Sequence, residues 1–138
     1  GRGIAGNGGL MRAAFGVIAC LLVVPAWAGG MWRVMAETPR ETVSIDFDSL
    51  QRNAGRVSFR ERRVMLGVQT DPNSLRPMRE VLSRRVIDCR ARRIATLSRA
   101  VFSDDDAMID HQATRLNQAV WQPVPAEDRV FKQMCGRS

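Results

Sequence analysis

Hydrophobic and polar residues alternate over much of the chain, a pattern that is typical of β-strands with one buried face. Val43, Ile45 and Phe47 are separated by polar residues, so they predict a first strand whose apolar side chains share one face. The polar residues 48–55 then predict a break before the next strand.

A second strand is predicted to begin at Arg56, with Val57 and Phe59 on its buried face. The apolar positions then change parity, because Val64 starts another alternating series in the opposite register. A shift of one residue turns every following side chain to the other face of a sheet. We therefore expect a β-bulge in residues 60–63 that absorbs the extra residue.

Three more segments complete the predicted sheet. Residues 78–89 and 94–102 alternate in the same way and are interpreted as the third and fourth strands, and residues 108–116 as a short strand or turn. Turn-forming residues at 69–77 predict a loop, and the Ser-Asp-Asp-Asp segment at 103–106 ends the fourth strand. The pattern predicts an antiparallel sheet of about five strands.

The last segment of the chain predicts a helix. Pro123 and Pro125 exclude a central strand, because proline lacks the N–H that the ladder needs. Pro125 suits the first turn of a helix, and the acidic pair that follows it favours the positive end of the helix dipole. Val130, Phe131 and Met134 then form one apolar stripe. The predicted fold class is α+β, with this C-terminal helix packed on the antiparallel sheet.

The start of the chain has the three parts of a secretory signal peptide. Arg12 precedes a short apolar run, and Ala26 and Ala28 supply the small side chains that signal peptidase requires. We expect cleavage after Ala28, which gives a leader and signal peptide in residues 1–28 and a single domain in residues 29–138. The domain is predicted to be exported to the periplasm, the cell surface or the medium.

Two alternatives to cleavage remain open at this stage. Retention as an N-terminal anchor is disfavoured because residues 13–28 number only 16, against roughly 20 for a membrane-spanning helix. We expect no stable membrane span once the leader is removed. Lipidation of Cys20 is suggested by the Val-Ile-Ala before it, although apolar residues continue after it. Residues 1–10 precede the first methionine without any pattern and are interpreted as leader.

Removal of the leader leaves two cysteines, Cys89 and Cys135. In an oxidising compartment an even pair predicts a disulfide, which here would tether the C-terminal helix to the third strand. Closing a loop of this length contributes about 4 kcal/mol in the chain-entropy model. Trp121, which precedes the two prolines, is expected to fill the core between helix and sheet.

The composition points to an anion-binding surface. Without Arg2 and Arg12, the basic residues number 19 against 14 acidic ones, a net charge of +5, and Lys132 is the only lysine. Guanidinium groups pair with carboxylates, sulfates and phosphates through two parallel hydrogen bonds. The alternative is a solvated sheet face whose arginines pair with neighbouring carboxylates and protect the edges. Six arginines on or beside the third and fourth strands form the candidate surface: Arg84, Arg85, Arg90, Arg92, Arg93 and Arg99.

Catalytic and metal sites are not predicted. His111 is the only histidine, and its neighbour Asp110 would face the opposite side of a strand. Residues 104–106 are three consecutive aspartates, without the alternating ligands and the glycine of calcium loops. We therefore expect no enzyme activity, no cofactor and no metal. Nucleic acid is also not an expected partner, because the chain has no ladder of aromatic side chains for base stacking.

Three segments together resemble the surface-adhesin protein E family of exported bacterial proteins. They are the strand end and turn at residues 45–50, the Ile-Asp-Cys at 87–89 with arginines after it, and the Trp-Gln-Pro-Val-Pro at 121–125 before a helix with a near-terminal Cys135. The match covers residues 32–136. The resemblance implies an antiparallel sheet with a disulfide-tethered C-terminal helix. The named member of the family is an adhesin that binds host matrix and serum proteins; that activity belongs to the member's own surface, so the resemblance assigns no binding residue here.

These observations support one leading hypothesis for the function. The domain is an exported, non-enzymatic binding or envelope protein whose partners are host matrix or serum proteins or acidic glycans. The alternative is a structural periplasmic protein, or a subunit of an envelope assembly, without a soluble ligand.

Overall fold

The computed structural model describes residues 30–136, so the predicted signal peptide lies outside the described residues. Seven strands form one sheet, and a short helix follows them. The strands are β1 (Trp32–Glu37), β2 (Glu41–Asn53), β3 (Arg56–Thr70), β4 (Pro77–Asp88), β5 (Arg93–Phe102), β6 (Met108–Ala113) and β7 (Gln122–Pro123). A 3-10 turn (Leu116–Gln118) precedes β7, and helix α1 (Arg129–Cys135) follows it.

Strands β1 to β6 lie side by side in chain order, and all their pairings are antiparallel. The predicted α+β class is confirmed, but the expected count of about five strands is too low. Strand β1 was not predicted, because its register shifts between Val34 and Ala36 and so interrupts the alternation. Strand β7 has only two residues and pairs with Arg93 and Ile94 of β5. A proline is tolerated there because the strand lies at an edge.

The main apolar cluster lies on one face of the sheet, which we call the helix face because α1 packs there. Its strand residues include Ile45, Phe59 and Ile87, all fully buried, and α1 contributes Met134. The opposite face, which carries Arg60 and its neighbours, is called the open face. Further along the helix face lies a second apolar cluster formed by Met65, Val81 and Val101, with Met78 and Ile109 packed against them.

The expected bulge at residues 60–63 is wrong. These residues pair without interruption with both β2 and β4, and the register of the β2–β3 pair shifts instead between Asp46 and Gln51. The buried positions of β3 also continue to alternate in the same register, because Glu61 is the next inward-facing residue after Val57 and Phe59. Val64 therefore belongs to the open face, and the register of β3 against β4 shifts only after it, between Val64 and Gln69.

Helix α1 is shorter than the sequence suggested. Asp128 is its N-cap and accepts a hydrogen bond from the Phe131 backbone N–H at 3.0 Å, so Pro125 lies before the helix and not in its first turn. Gly136, with φ of 74°, ends it. An isolated helix of seven residues is unstable in water, so α1 depends on its contacts with the sheet.

Several contacts hold α1 in place. The predicted disulfide between Cys89 and Cys135 is present, with 5.6 Å between the two Cα atoms. Arg52 of β2 donates to the Met134 carbonyl at 2.6 Å, which satisfies one of the free carbonyls at the end of the helix. The sheet and the helix are therefore joined covalently at Cys89 and by side-chain contacts around Met134.

The expectation that Trp121 fills the core is wrong. Its ring is half-buried and lies outside both apolar clusters, with the Arg56 guanidinium 5.1 Å from the ring centroid. Because β7 pairs at the end of β5, the residue before it sits at the rim of the sheet. Met134 takes the place between helix and sheet that was expected for Trp121.

Replacing Cys135 with serine should lower the free energy of unfolding by about 2–4 kcal/mol, since the loop to Cys89 is no longer closed in the unfolded chain. Urea denaturation of the two proteins measures the difference. The control is the Cys89→Ser/Cys135→Ser double variant, which should lose no more than the single one. Equal stability of the unmodified protein with and without reductant would contradict the expectation.

Candidate functional site

Charged side chains occupy the helix face beyond the first apolar cluster. Glu61 is buried, and its two carboxylate oxygens lie 3.1 Å from Arg63 Nε and 3.4 Å from Arg85 Nη1. Arg63 also reaches Glu41 at 2.6 Å, and Arg85 donates to the Thr96 hydroxyl at 3.1 Å. Arg63 and Arg85 therefore neutralise Glu61 and Glu41 on the helix face and stabilise the sheet.

Arg99 of β5 is held by two further carboxylates. Its Nη2 atom lies 3.3 Å from Asp71, and its Nη1 atom lies 3.5 Å from Asp110. Asp71 is fully buried at the end of β3, and its second oxygen accepts the Ser74 backbone N–H at 2.9 Å. The charge of Arg99 therefore orders the loop between β3 and β4.

Asp46 is the buried carboxylate of the open face. Arg60 Nη2 lies 2.6 Å from one of its oxygens. The other oxygen accepts the backbone N–H groups of Met31 and Asp48 at 2.8 and 2.9 Å. These contacts tie the start of β1 to the bulged part of β2.

Trp32 lies beside this group on the open face. The guanidinium carbons of Arg60 and Arg62 lie 5.3 and 5.7 Å from its ring centroids, within the range of cation–π contact. Arg62 also approaches Glu80, with 3.1 Å between its Nε atom and the carboxylate. The sequence left Trp32 without a role, because its arginine partners are more than 25 residues away along the chain.

The pKa values of the buried aspartates reflect these contacts. Burial is the largest single influence and opposes ionisation of both Asp46 and Asp71. Hydrogen bonds outweigh it, from Arg60 and two backbone N–H groups at Asp46, and from Ser74 and Arg99 at Asp71. The pKa of each carboxyl is therefore held below its usual value, and both groups are charged at neutral pH.

The structure places the six arginines of the candidate anion surface in three different locations. Two of them have carboxylate partners on the helix face, one lies on the open face, and three lie at the exposed turn between β4 and β5. Arg85 and Arg99 are the two on the helix face, and Arg84 is the one on the open face. The three at the turn are Arg90, Arg92 and Arg93.

The exposed turn has a defined backbone. The Asp88 carboxylate accepts the Ala91 backbone N–H at 3.1 Å, and Val124 donates its N–H to the Arg92 carbonyl at 2.9 Å. Within residues 30–136, the side chains of Arg90, Arg92 and Arg93 make no ion pair or hydrogen bond. The turn therefore presents three unpaired guanidinium groups to solvent.

Arg84 lies in a groove of about 850 Å³ on the open face. Its side chain is half-buried, and no ion pair or hydrogen bond involves it within the described part of the chain. The groove runs along β3 and β4 to their connecting turns. It is lined by Gln51, Asn53, Ala54, Arg56, Ser58, Arg84, Val86, Asp88, Arg90, Ala91, Leu97 and Leu116.

Comparison with known proteins supports the resemblance seen in the sequence. The sequence model of the family "Surface-adhesin protein E" matches residues 32–136. The chain belongs to this family. A search of solved structures matches protein E from non-typeable Haemophilus influenzae, with 12% sequence identity and a TM-score of 0.46, over 80% of this chain and 77% of that one. A search of curated protein sequences gave no match.

In this surface-adhesin E domain the remaining chemical candidates lie apart from the groove. His111 is exposed on β6, and residues 103–107 form the predicted turn, where Asp106 pairs with Arg79. No group of three or more His, Cys, Asp or Glu residues in the described chain is arranged to hold a metal ion. None of the helices described here is long and apolar enough to cross a membrane.

The lowered pKa values predict that the domain loses stability in acid. The unfolded chain binds protons on Asp46 and Asp71 at a higher pH than the folded chain does, so stability should fall as the pH drops below about 5. Replacing Asp71 with asparagine should flatten this dependence, measured as the change in urea midpoint between pH 7 and pH 3. Asp104→Asn, at an exposed position, is the control and should keep the full change. A full change in the Asp71 variant would refute the assignment.

Proposed function

We propose that the chain is an exported, non-enzymatic, adhesin-like protein that binds acidic groups on extracellular partners. The observation that carries the proposal is the group of candidate arginines without a carboxylate partner among residues 30–136. Membership of the surface-adhesin protein E family supports the adhesin-like role. The candidate arginines without a carboxylate partner among residues 30–136 are Arg84, Arg90, Arg92 and Arg93.

The pairing of the arginines narrows the candidate surface. Arg85 and Arg99 lie 3.4 and 3.3 Å from buried carboxylates, so their charges already stabilise the fold. An acidic partner would have to compete with Glu61 and Asp71 for them. We therefore assign ligand binding to the unpaired arginines and a structural role to the paired ones.

The turn between β4 and β5 suits a polyanionic partner. Three exposed arginines within four residues create a positive potential that attracts anions over a distance of about one Debye length. Sulfated glycans and acidic segments of matrix or serum proteins carry repeated negative charges, which such a positive potential attracts. The backbone hydrogen bonds of Ala91 and Arg92 support binding, because less ordering is needed when the partner arrives.

Export is supported by two features. The disulfide between Cys89 and Cys135 is of the kind that persists in oxidising compartments and is rare in the cytosol. The apolar run before Ala28 has the form of a secretory signal. We place the domain in the periplasm or at the cell surface, where acidic extracellular partners are accessible.

Replacing Arg90, Arg92 and Arg93 together with alanine should weaken binding to heparin at least tenfold at low salt and reduce the salt dependence of the remainder. Affinity is measured by biosensor at several salt concentrations. The matched control replaces three exposed arginines elsewhere, Arg33, Arg40 and Arg76, and removes the same charge.

Selective loss in the turn variant supports the proposal. An equal loss of heparin affinity in both variants would mean that binding depends only on net charge, and it would contradict a defined site. Unchanged binding in both, or no heparin binding by the unmodified protein, would favour a structural envelope protein without a soluble ligand.

A further inference from the structure

Arg84 differs from the other arginines of the sheet. Seven arginines of the strands are half-buried, and six of these lie within ion-pair distance of an aspartate or glutamate in residues 30–136. Arg84 has no such partner. A partly desolvated charge without a counter-ion is costly, so this position favours an anion from outside the chain. The six paired residues are Arg60, Arg62, Arg63, Arg79, Arg85 and Arg99.

The neighbours of Arg84 strengthen this preference. In the register of the sheet it lies directly opposite Arg60 on β3 and Ser98 on β5. Like charges in opposite positions of neighbouring strands repel each other. Asp46 neutralises only Arg60, at 2.6 Å, and leaves the charge of Arg84 unbalanced. A bound anion would neutralise Arg84 and so remove the repulsion between Arg84 and Arg60.

The groove that extends from Arg84 is apolar in its middle. Val86, the next residue of β4 on the same face, is 4% exposed, and Leu97 and Leu116 line the groove with it. At the far end Arg56 and Asp88 pair with each other at 3.6 Å. Asp88 lies four positions along β4 from Arg84, a distance of about 13 Å. Arg90 also lines that end of the groove, but it is exposed to solvent, so the half-buried Arg84 is the position where an unpaired charge is costly.

We infer that this groove binds a single carboxylate, sulfate or phosphate group carried on an aliphatic chain, with the acidic group at Arg84 and the chain along Val86. This inference rests on the proposed function, because it assigns one ligand class to part of the same surface. The groove volume of about 850 Å³ is sufficient for such a ligand, since small-molecule sites occupy roughly 300–1,000 Å³. An extended polyanion would leave the apolar floor unfilled and is better suited to the exposed turn.

The test uses octanoate and octyl phosphate as anionic probes, and octyltrimethylammonium as the probe with the opposite charge, all below their micelle concentrations. Titration of the isotope-labelled protein, followed by NMR, should shift the amide signals of Ser58, Val86 and Leu97 with both anions and not with the cation. Arg84→Gln should weaken binding of the anions about tenfold or more, and Arg76→Gln should not. Preference for octanoate would identify a fatty-acid source, and preference for octyl phosphate a phospholipid-like one.

Folding of the variants is checked by thermal unfolding. Because no carboxylate depends on Arg84, its glutamine variant should melt no lower than the unmodified protein. Arg85→Gln leaves the buried Glu61 with one cation fewer and should melt at a lower temperature. A lower melting temperature for the Arg84 variant would count against the repulsion on which the site is argued.

The remaining outcomes separate this inference from the proposed function. Equal binding of the three probes, or anion binding that survives Arg84→Gln, would overturn the groove site. This holds even if the Arg90, Arg92 and Arg93 alanine variant still loses heparin binding. Octanoate binding that depends on Arg84, together with heparin binding unaffected at the turn, would support the groove site and refute the polyanion surface.

Discussion

The bond between Cys89 and Cys135 holds a seven-residue helix against the sheet, and the main apolar cluster depends on that contact. A helix of this length does not persist alone in water. Once α1 is held, Met134 is buried against Phe59 and Ile87 and completes the cluster at this end of the sheet. The packing of the helix layer therefore depends on this disulfide, which oxidising surroundings maintain, together with the side-chain contacts around Met134.

Beyond the apolar clusters, the sheet also buries carboxylates that are paired with arginines. Asp46, Glu61 and Asp71 are buried, and each lies within 3.3 Å of an arginine, which is Arg60 on the adjacent strand, Arg63 on the same strand and Arg99 on β5, respectively. Guanidinium groups are suited to this task, because they stay charged and present several donors in one plane. Among the half-buried arginines of the described strands, Arg84 is the exception, and it lies in a groove with apolar residues in its middle.

Much of the fold was predictable from local patterns, because alternation, the apolar stripe and the even cysteine pair all record which side chains face inward. The burial of Glu61 was not, since a charged residue interrupts the apolar pattern of the inward face and one of its two arginine partners, Arg85, comes from another strand. For the same reason the parity change at Val64 suggested a bulge at residues 60–63, whereas the register of β3 against β4 shifts after Val64. The division of the arginines between the two faces could be predicted from the sequence, because Arg84 and Arg85 are adjacent in one strand and must point to opposite faces.

The order of the strands has a consequence for the sequence of events in folding. Each of β1 to β6 pairs with the next one along the chain, so every pairing closes a short loop. Such local topologies fold quickly, because little chain entropy is lost before contacts form. The sheet can thus form while both thiols are still reduced. Oxidation of Cys89 and Cys135 to the disulfide then fixes the C-terminal segment against the sheet.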